Sequence, residues 1–217
     1  MSGSRRWHIA QAAELRWWRR YLSKTTPGDY LDRKAGQWRE KLALIGDELD
    51  LRAGATVLDA GCGPAGIYMV LPECEVHAVD PLIDAYENCL PHFERQAWPW
   101  VTFYPVPFEE FTAPEAYDFV FCINAVNHFS DLDLSLDRLL DVLAPGGRLI
   151  LSSDAHNHAL FKHLFRALPL DILHPHQYSA DEYEAMFTAR GAHIEKRMIV
   201  RRAFFFDRWL WVVRRSG

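Results

Sequence analysis

No stretch of this 217-residue chain approaches the roughly 18 consecutive apolar residues that a membrane-spanning helix needs. Cysteine is scarce: Cys62, Cys74, Cys89 and Cys122 form no C-x-x-C pair and no zinc-like spacing. That argues against a disulfide framework and leaves reduced thiols in a cytoplasmic protein as the reading. Surplus positive charge is missing too. With 24 Lys and Arg against 29 Asp and Glu, the formal net charge is −5, so no global basic field draws the chain to nucleic acid or anionic lipid. Arg5-Arg6 resembles the start of a twin-arginine signal, but Gln11, Glu14, Arg16, Arg19 and Arg20 follow where an apolar stretch is required. Internal repeats, low-complexity stretches and interdomain linkers are absent.

What remains is ordinary globular composition, 49% hydrophobic and 24% charged, in a length that suits one domain with a real core. Periodicity predicts a helix over 8–23 and, after Thr25-Thr26-Pro27-Gly28, a second over 29–50 with Leu31, Ala35, Trp38, Leu42, Ile45 and Leu49 on one stripe. The pattern then changes. Short apolar strands are expected at 56–59, 75–79, 100–104, 117–123 and 148–152, with a helix over 132–143 and a turn at Ala144-Pro145-Gly146-Gly147. Beyond these come a helix over 156–168, a loop over 171–178, a helix over 181–189, and two strands at 193–200 and 204–213 whose short connection predicts an antiparallel hairpin. Alternating strands and helices predict a mostly parallel sheet covered on both faces. The expected division is one domain over 1–217: a helical cap (1–53), a cofactor-binding core (54–154), and substrate-side helices with the last two strands (155–217).

Gly61-Cys62-Gly63-Pro64-Ala65-Gly66 follows the first strand and precedes a predicted helix. In that setting G-x-G-x-x-G implies close backbone approach of a ligand at a helix N-terminus. Asp59, two residues earlier, would repel a pyrophosphate but attract the ammonium and sulfonium of S-adenosylmethionine, which disfavours a dinucleotide. Asp80 ends the second strand about 20 residues after the first glycine, where a carboxylate can accept both ribose hydroxyls. Pro81 and Leu82 are set to pack on an adenine.

Val57-Leu58-Asp59-Ala60-Gly61-Cys62-Gly63 resembles the first motif of class I S-adenosylmethionine-dependent methyltransferases of the small-molecule type. Asp80, Phe108-Glu109-Glu110, Tyr117 to His128 and Leu140 to Leu151 resemble the family's later segments, in order. The resemblance covers residues 54–154 strongly and the rest loosely. It implies an α/β Rossmann-like three-layer sandwich with a seven-stranded, mostly parallel sheet, an antiparallel C-terminal hairpin and added N-terminal helices. It also implies S-adenosylmethionine as cofactor and S-adenosylhomocysteine as product. Asp59, Gly61 and Gly63 would border the methionine part, Asp80 the ribose, and Leu82, Phe108 and Glu109 the adenine, with Asn124 facing the cofactor. Asn124-Ala125-Val126-Asn127 departs from the Asn-Pro-Pro-Tyr of base N-methyltransferases, which counts against that activity.

Methyl transfer is an in-line displacement, so holding the nucleophile in line supplies about 7–11 kcal/mol of the barrier. A hydroxyl nucleophile also benefits from a histidine base. His128 and His156 sit just past predicted strand ends and are the catalytic candidates; His158, His174 and His176, with Tyr30, are the substrate-side candidates. Tyr30 and Arg33 are read either as reaching a cofactor carboxylate or as plain surface residues. The histidines lack an i, i+4 pair with a carboxylate, so no metal site is expected. Trp17-Trp18-Arg19-Arg20 reads as a core-facing tryptophan on a solvated basic face, with a sugar, lipid headgroup or RNA contact as the sharper option. Phe204 to Arg215 reads as a final mid-sheet strand, with an interfacial membrane anchor as its option. The expected reaction is methyl transfer to oxygen of a small-molecule, sugar or lipid-linked glycan acceptor. Alternatives are a tRNA or protein methyltransferase, a non-catalytic cofactor-binding partner subunit and an NAD-dependent oxidoreductase. A homodimer stays open.

Overall fold

The computed structural model describes residues 5–46, 49–156, 178–203 and 206–215. Two helices come first, α1 (Arg5–Leu22) and α2 (Pro27–Ile45). Thr26 caps α2 by accepting from the Asp29 N–H at 3.2 Å, and Pro27 occupies its first turn, where a missing N–H costs nothing. The helix stops at Ile45 rather than Asp50, because Gly46 takes φ 86° and turns the chain out of helical geometry.

Seven strands follow with the predicted spacing: β1 (Thr56–Ala60), β2 (Glu75–Val79), β3 (Val101–Tyr104), β4 (Tyr117–Ile123), β5 (Leu143–His156), β6 (Ala192–Arg201) and β7 (Phe206–Arg215). Helix α3 (Ile83–Cys89) follows β2, α4 (Leu132–Asp141) follows β4, and α5 (Ala180–Ala189) precedes β6. They form one sheet in the order β3-β2-β1-β4-β5-β7-β6. Pairs among β1 to β5 are parallel; β7 is antiparallel to both β5 and β6. The last strand therefore lies inside the sheet, and Leu210, Trp211, Val212 and Val213 are buried.

Alternation along each strand sorts the core into two layers. Val57, Val76, Phe119, Phe121 and Val212 face a cluster that includes Tyr30 and Trp38 of α2 and Tyr86 of α3. Leu58, Val79, Val120, Leu151 and Trp211 face the other, which includes Leu136 of α4 and Tyr183 of α5. This is the expected three-layer sandwich.

Two expectations change. The predicted turn at 144–147 lies within β5: Leu143 pairs with Tyr117 and Arg148 with Phe119, and the irregularity between them includes Gly146 at φ 84°. The helix expected after the glycine turn is a single 3-10 turn, Ile67–Val70. The helix predicted over 156–168 and the loop over 171–178 lie almost wholly outside the described residues. Cys62, Cys74 and Cys122 are buried and free, and Cys89 is exposed. Among the described residues no helix is long and apolar enough to cross a membrane.

Candidate active site

Strand order reverses between β1 and β4, and a cleft of about 500 Å³ opens at the C-terminal ends of these strands. Helices α1 and α2 roof it, through Gln11, Glu14 and Trp18 from the first and Lys34, Trp38 and Lys41 from the second.

The glycine turn forms its floor. The N–H groups of Gly61 and Cys62 donate to Val79 O at 2.8 and 3.2 Å, folding the turn onto the end of β2. Gly61 has φ 73°, and a Cβ there would sit 2.3 Å from Ala125 Cβ, so both conformation and space demand glycine. Gly63, at φ 58°, donates its N–H to Asp80 Oδ2 at 3.0 Å. Trp38 pins the turn from above, its indole N–H donating to Ala65 O at 3.0 Å.

Asp59 does not face this cleft. It is buried beneath the turn, where Oδ2 accepts from the Tyr68 N–H at 3.4 Å and would touch any Cβ at Gly66 at 2.2 Å. Burial pushes its carboxyl up to about 7. The third glycine thus makes room for Asp59 rather than for a ligand. The carboxylates that do line the cleft near the turn are Asp80 and Glu14. Asp80 Oδ1 accepts from the Leu82 N–H at 2.9 Å; each oxygen accepts more than one bond, so capacity remains for a ligand. Burial raises Asp80 to about 6. Burial first, then the Asp80 charge, raises Glu14 to about 7. Leu82 itself lies off the cleft wall and acts through this backbone bond, while Pro81 lines the cleft.

Beyond β3, Phe108 lines the cleft and stacks on Phe129 with ring centroids 5.4 Å apart. Glu109 also lines it, although its Oε1 already accepts from the Ser130 N–H and hydroxyl at 2.6 and 2.8 Å. Asn124, at φ 55°, ends β4; its side-chain carbonyl accepts from the Ser152 hydroxyl at 3.0 Å. His128 lines the cleft from the short 3-10 turn Val126–His128. His156 closes β5 opposite Phe206, and its side chain is outside the described set. His158, His174 and His176 lie outside the described residues altogether.

Tyr30 is 1% exposed, packed edge-to-face on His92 at 5.6 Å and away from the cleft wall. Arg33 lies over the Tyr30 ring, 5.7 Å from its centroid, and is likewise off the wall. The cations that line the cleft from α2 are instead Lys34 and Lys41. Their ammonium groups lie 4.9 and 4.6 Å from the Trp38 ring centroid. Burial, then repulsion from Lys41, lowers Lys34 to about 8. Burial, then Arg208, lowers Lys41. Arg208 of β7 holds Asp154 through two bonds of 2.8 Å, and both residues line the cleft.

Sequence reasoning also missed Asn127. It is buried, lines the cleft, and its side-chain carbonyl accepts from the hydroxyls of Ser153 at 2.6 Å and Tyr183 at 2.9 Å. Off the cleft, Glu75, His77 and Glu115 gather at the start of β2 with ligand atoms within 4.8 Å of one another, a grouping that sequence spacing hides.

A family model described as a methyltransferase domain matches residues 30–196. The chain is 28% identical, over 175 residues, to a ubiquinone biosynthesis O-methyltransferase of Nitrobacter winogradskyi. That match covers 74% of this chain and 65% of the relative, so less than two thirds of the relative's length is spanned. The N-methyltransferase NodS of Bradyrhizobium japonicum, solved with S-adenosylhomocysteine, superposes with a TM-score of 0.61 at 18% identity, over 82% of this chain and 87% of that one. A structure described as a sarcosine dimethylglycine methyltransferase from Galdieria sulphuraria gives 0.67 at 16% identity, over 85% and 86%.

Proposed function

The chain belongs to the methyltransferase-domain family, and from that premise we propose that it transfers a methyl group from S-adenosylmethionine to oxygen of a small-molecule, sugar or lipid-linked acceptor. The observation that carries the reading is the polarity of the glycine-floored cleft: the buried carboxylate Asp80 and half-buried Glu14 on one side, ammonium groups Lys34 and Lys41 on another. A ligand with a ribose diol and an amino-acid carboxylate fits that distribution. A dinucleotide pyrophosphate fits it poorly, because Asp80 already occupies the Gly63 N–H that such a ligand would take.

When bound, S-adenosylmethionine supplies an electrophilic methyl group on a sulfonium. This chain's residues do the rest. Asp80 accepts from the ribose hydroxyls, with Glu14 beside it. Gly61 and Gly63 allow close backbone approach under the amino-acid part, and Lys34 meets its carboxylate. Phe108 and Phe129 offer an apolar face for the adenine, and Asn124 closes the end of β4. Burial of the cleft under α1 and α2 excludes water and fixes the acceptor in line. His128 is the candidate base for the acceptor hydroxyl. His156, His158, His174 and His176 complete the proposed acceptor side, and residues 1–53, 54–154 and 155–217 are the proposed cap, core and acceptor-side segment of one domain. Oxygen as the acceptor atom draws support from the O-methyltransferase relative.

Isothermal titration of the full chain with S-adenosylhomocysteine, with NAD as control, tests the cofactor assignment. Micromolar binding that Asp80→Ala weakens by at least about tenfold is expected, the loss of one charged hydrogen-bond acceptor. Binding of NAD instead, or of neither ligand, overturns the reading.

A further inference from the structure

Positive charge is in surplus on the α2 side of the cleft. Lys34 and Lys41 both line it, and among the described residues neither ammonium has a carboxylate partner within ion-pair distance. The two are not equivalent. Lys34 feels Lys41, then Asp59 beneath the glycine turn, then Arg208. The largest charged influence on Lys41 is Arg208 of β7, whose own charge is matched by the two bonds to Asp154. Arg208 acts on both lysines, but only Lys34 feels the carboxylate beneath the glycine turn, so Lys34 is the partner assigned to the amino-acid part of the proposed cofactor and Lys41 is left for the acceptor.

A single carboxylate neutralises a single ammonium. With the cofactor carboxylate on Lys34, Lys41 is left half-buried, beside Trp38 and repelled by Arg208, with the more weakly felt Glu40 as opposing charge and no ion-pair partner among the described residues. Holding a cation in such a place costs free energy unless an occupant supplies a negative group. Trp38 lies against Lys41, and Trp7 and Trp17 also line the cavity. We infer that the acceptor is an anionic aromatic compound, a hydroxylated ring bearing a carboxylate or phosphate, whose anionic group is bound by Lys41. This inference rests on the proposed function and narrows its acceptor class.

The test uses the full chain loaded with S-adenosylhomocysteine and matched probes: 4-hydroxybenzoate, 4-hydroxyphenyl phosphate and, as the neutral control, 4-hydroxybenzyl alcohol. Binding is followed by titration calorimetry. The expected result is at least about tenfold tighter binding of an anionic probe than of the alcohol, the effect of one partly desolvated charge pair. Which anion binds tighter separates the carboxylate from the phosphate. Lys41→Met should erase the preference and Lys41→Arg should keep it. Lys34→Met, by contrast, should weaken S-adenosylhomocysteine but leave 5′-methylthioadenosine, which lacks the amino-acid carboxylate, unaffected. Equal binding of charged and neutral probes, or a preference that survives Lys41→Met, overturns the inference alone. Failure of the unaltered chain to bind S-adenosylhomocysteine overturns it together with the proposed function.

Discussion

Glu14 sits on a helix whose other charged residues are all arginines, yet it points into the cleft beside Asp80 and is pushed up to about 7. A carboxyl raised on folding from 4.5 binds its proton more tightly in the native state. Its contribution to stability is therefore fully present below about pH 4 and is lost as pH rises through about 7. Asp80 and Asp59, raised to about 6 and about 7, act in the same direction. The ligand-free chain should thus lose thermal stability between pH 4 and 7. Glu14→Gln, which keeps the shape and removes the titration, should flatten that decline and melt higher than the unaltered chain at pH 8. Thermal melts across this range check the sign; a parallel decline in the variant would mean that Glu14 is solvated. Residue roles were only partly legible. Asp80, Gly61, Gly63, Phe108 and Asn124 reach the cleft because strand ends and glycine turns are local features of sequence. Asp59 was misplaced because the count of two residues before a glycine does not say which way its side chain turns. Lys34 and Lys41 have no place in the sequence reading, although their offsets of four and three from Trp38 put all three on one helical stripe.

The two N-terminal helices differ in how firmly they are attached. Helix α2 buries Tyr30, Trp38 and Ile45. Among the α1 residues whose exposure is described, Leu22 alone is buried, and Ile9, Trp17 and Tyr21 are exposed. Helix α1 is therefore mainly a cover on the cleft, joined to the core through Leu22 at its end with Leu15 and Trp18 packed against it, while α2 belongs fully to both. A chain lacking residues 1–23 should still unfold cooperatively, with a melting temperature lower by only a few degrees, a loss of about 1 kcal/mol. It should bind S-adenosylhomocysteine at least about tenfold more weakly, since Glu14 and Trp18 leave the cleft wall. Loss of cooperative unfolding would show instead that α1 is integral to the fold. Strand limits were the most legible elements: β2 and β4 match their apolar runs residue for residue. Helix limits were less so, because periodicity continues past Gly46 although its φ does not permit helix. The turn after Gly66 is short for a reason absent from any pattern: Leu71, at φ −121° and ψ 49°, leaves helical geometry after a single turn.

At the scale of the whole molecule, the sheet is completed out of order. β5 runs for 14 residues, and from Arg148 to His156 its outer edge is paired only by β7, which begins at Phe206, 50 residues after β5 ends. Among the described residues the hairpin of β6 and β7 contributes only Arg208 to the cleft wall, yet it buries Leu210, Trp211, Val212 and Val213 at 1% exposure or less. Burial of four such side chains is worth about 6–12 kcal/mol, similar to the entire stability of a domain, about 5–15 kcal/mol. A chain ending at Gly191 should therefore lack a cooperative unfolding transition, because the loss of packing joins the exposure of a long unpaired edge. A milder change separates packing from the ladder. Trp211→Ala in the full chain removes a buried ring, 5.5 Å from Tyr183, whose N–H donates to Glu184 Oε1 at 3.1 Å. It should cost about 3–5 kcal/mol in chemical denaturation. If the full chain with Trp211→Ala stays folded and still binds S-adenosylhomocysteine with unchanged affinity, the hairpin supports the cleft by completing the sheet. If affinity falls in step with stability, Asp154 and Arg208, which pair across β5 and β7 at the cleft wall, transmit the packing of the hairpin directly into the site.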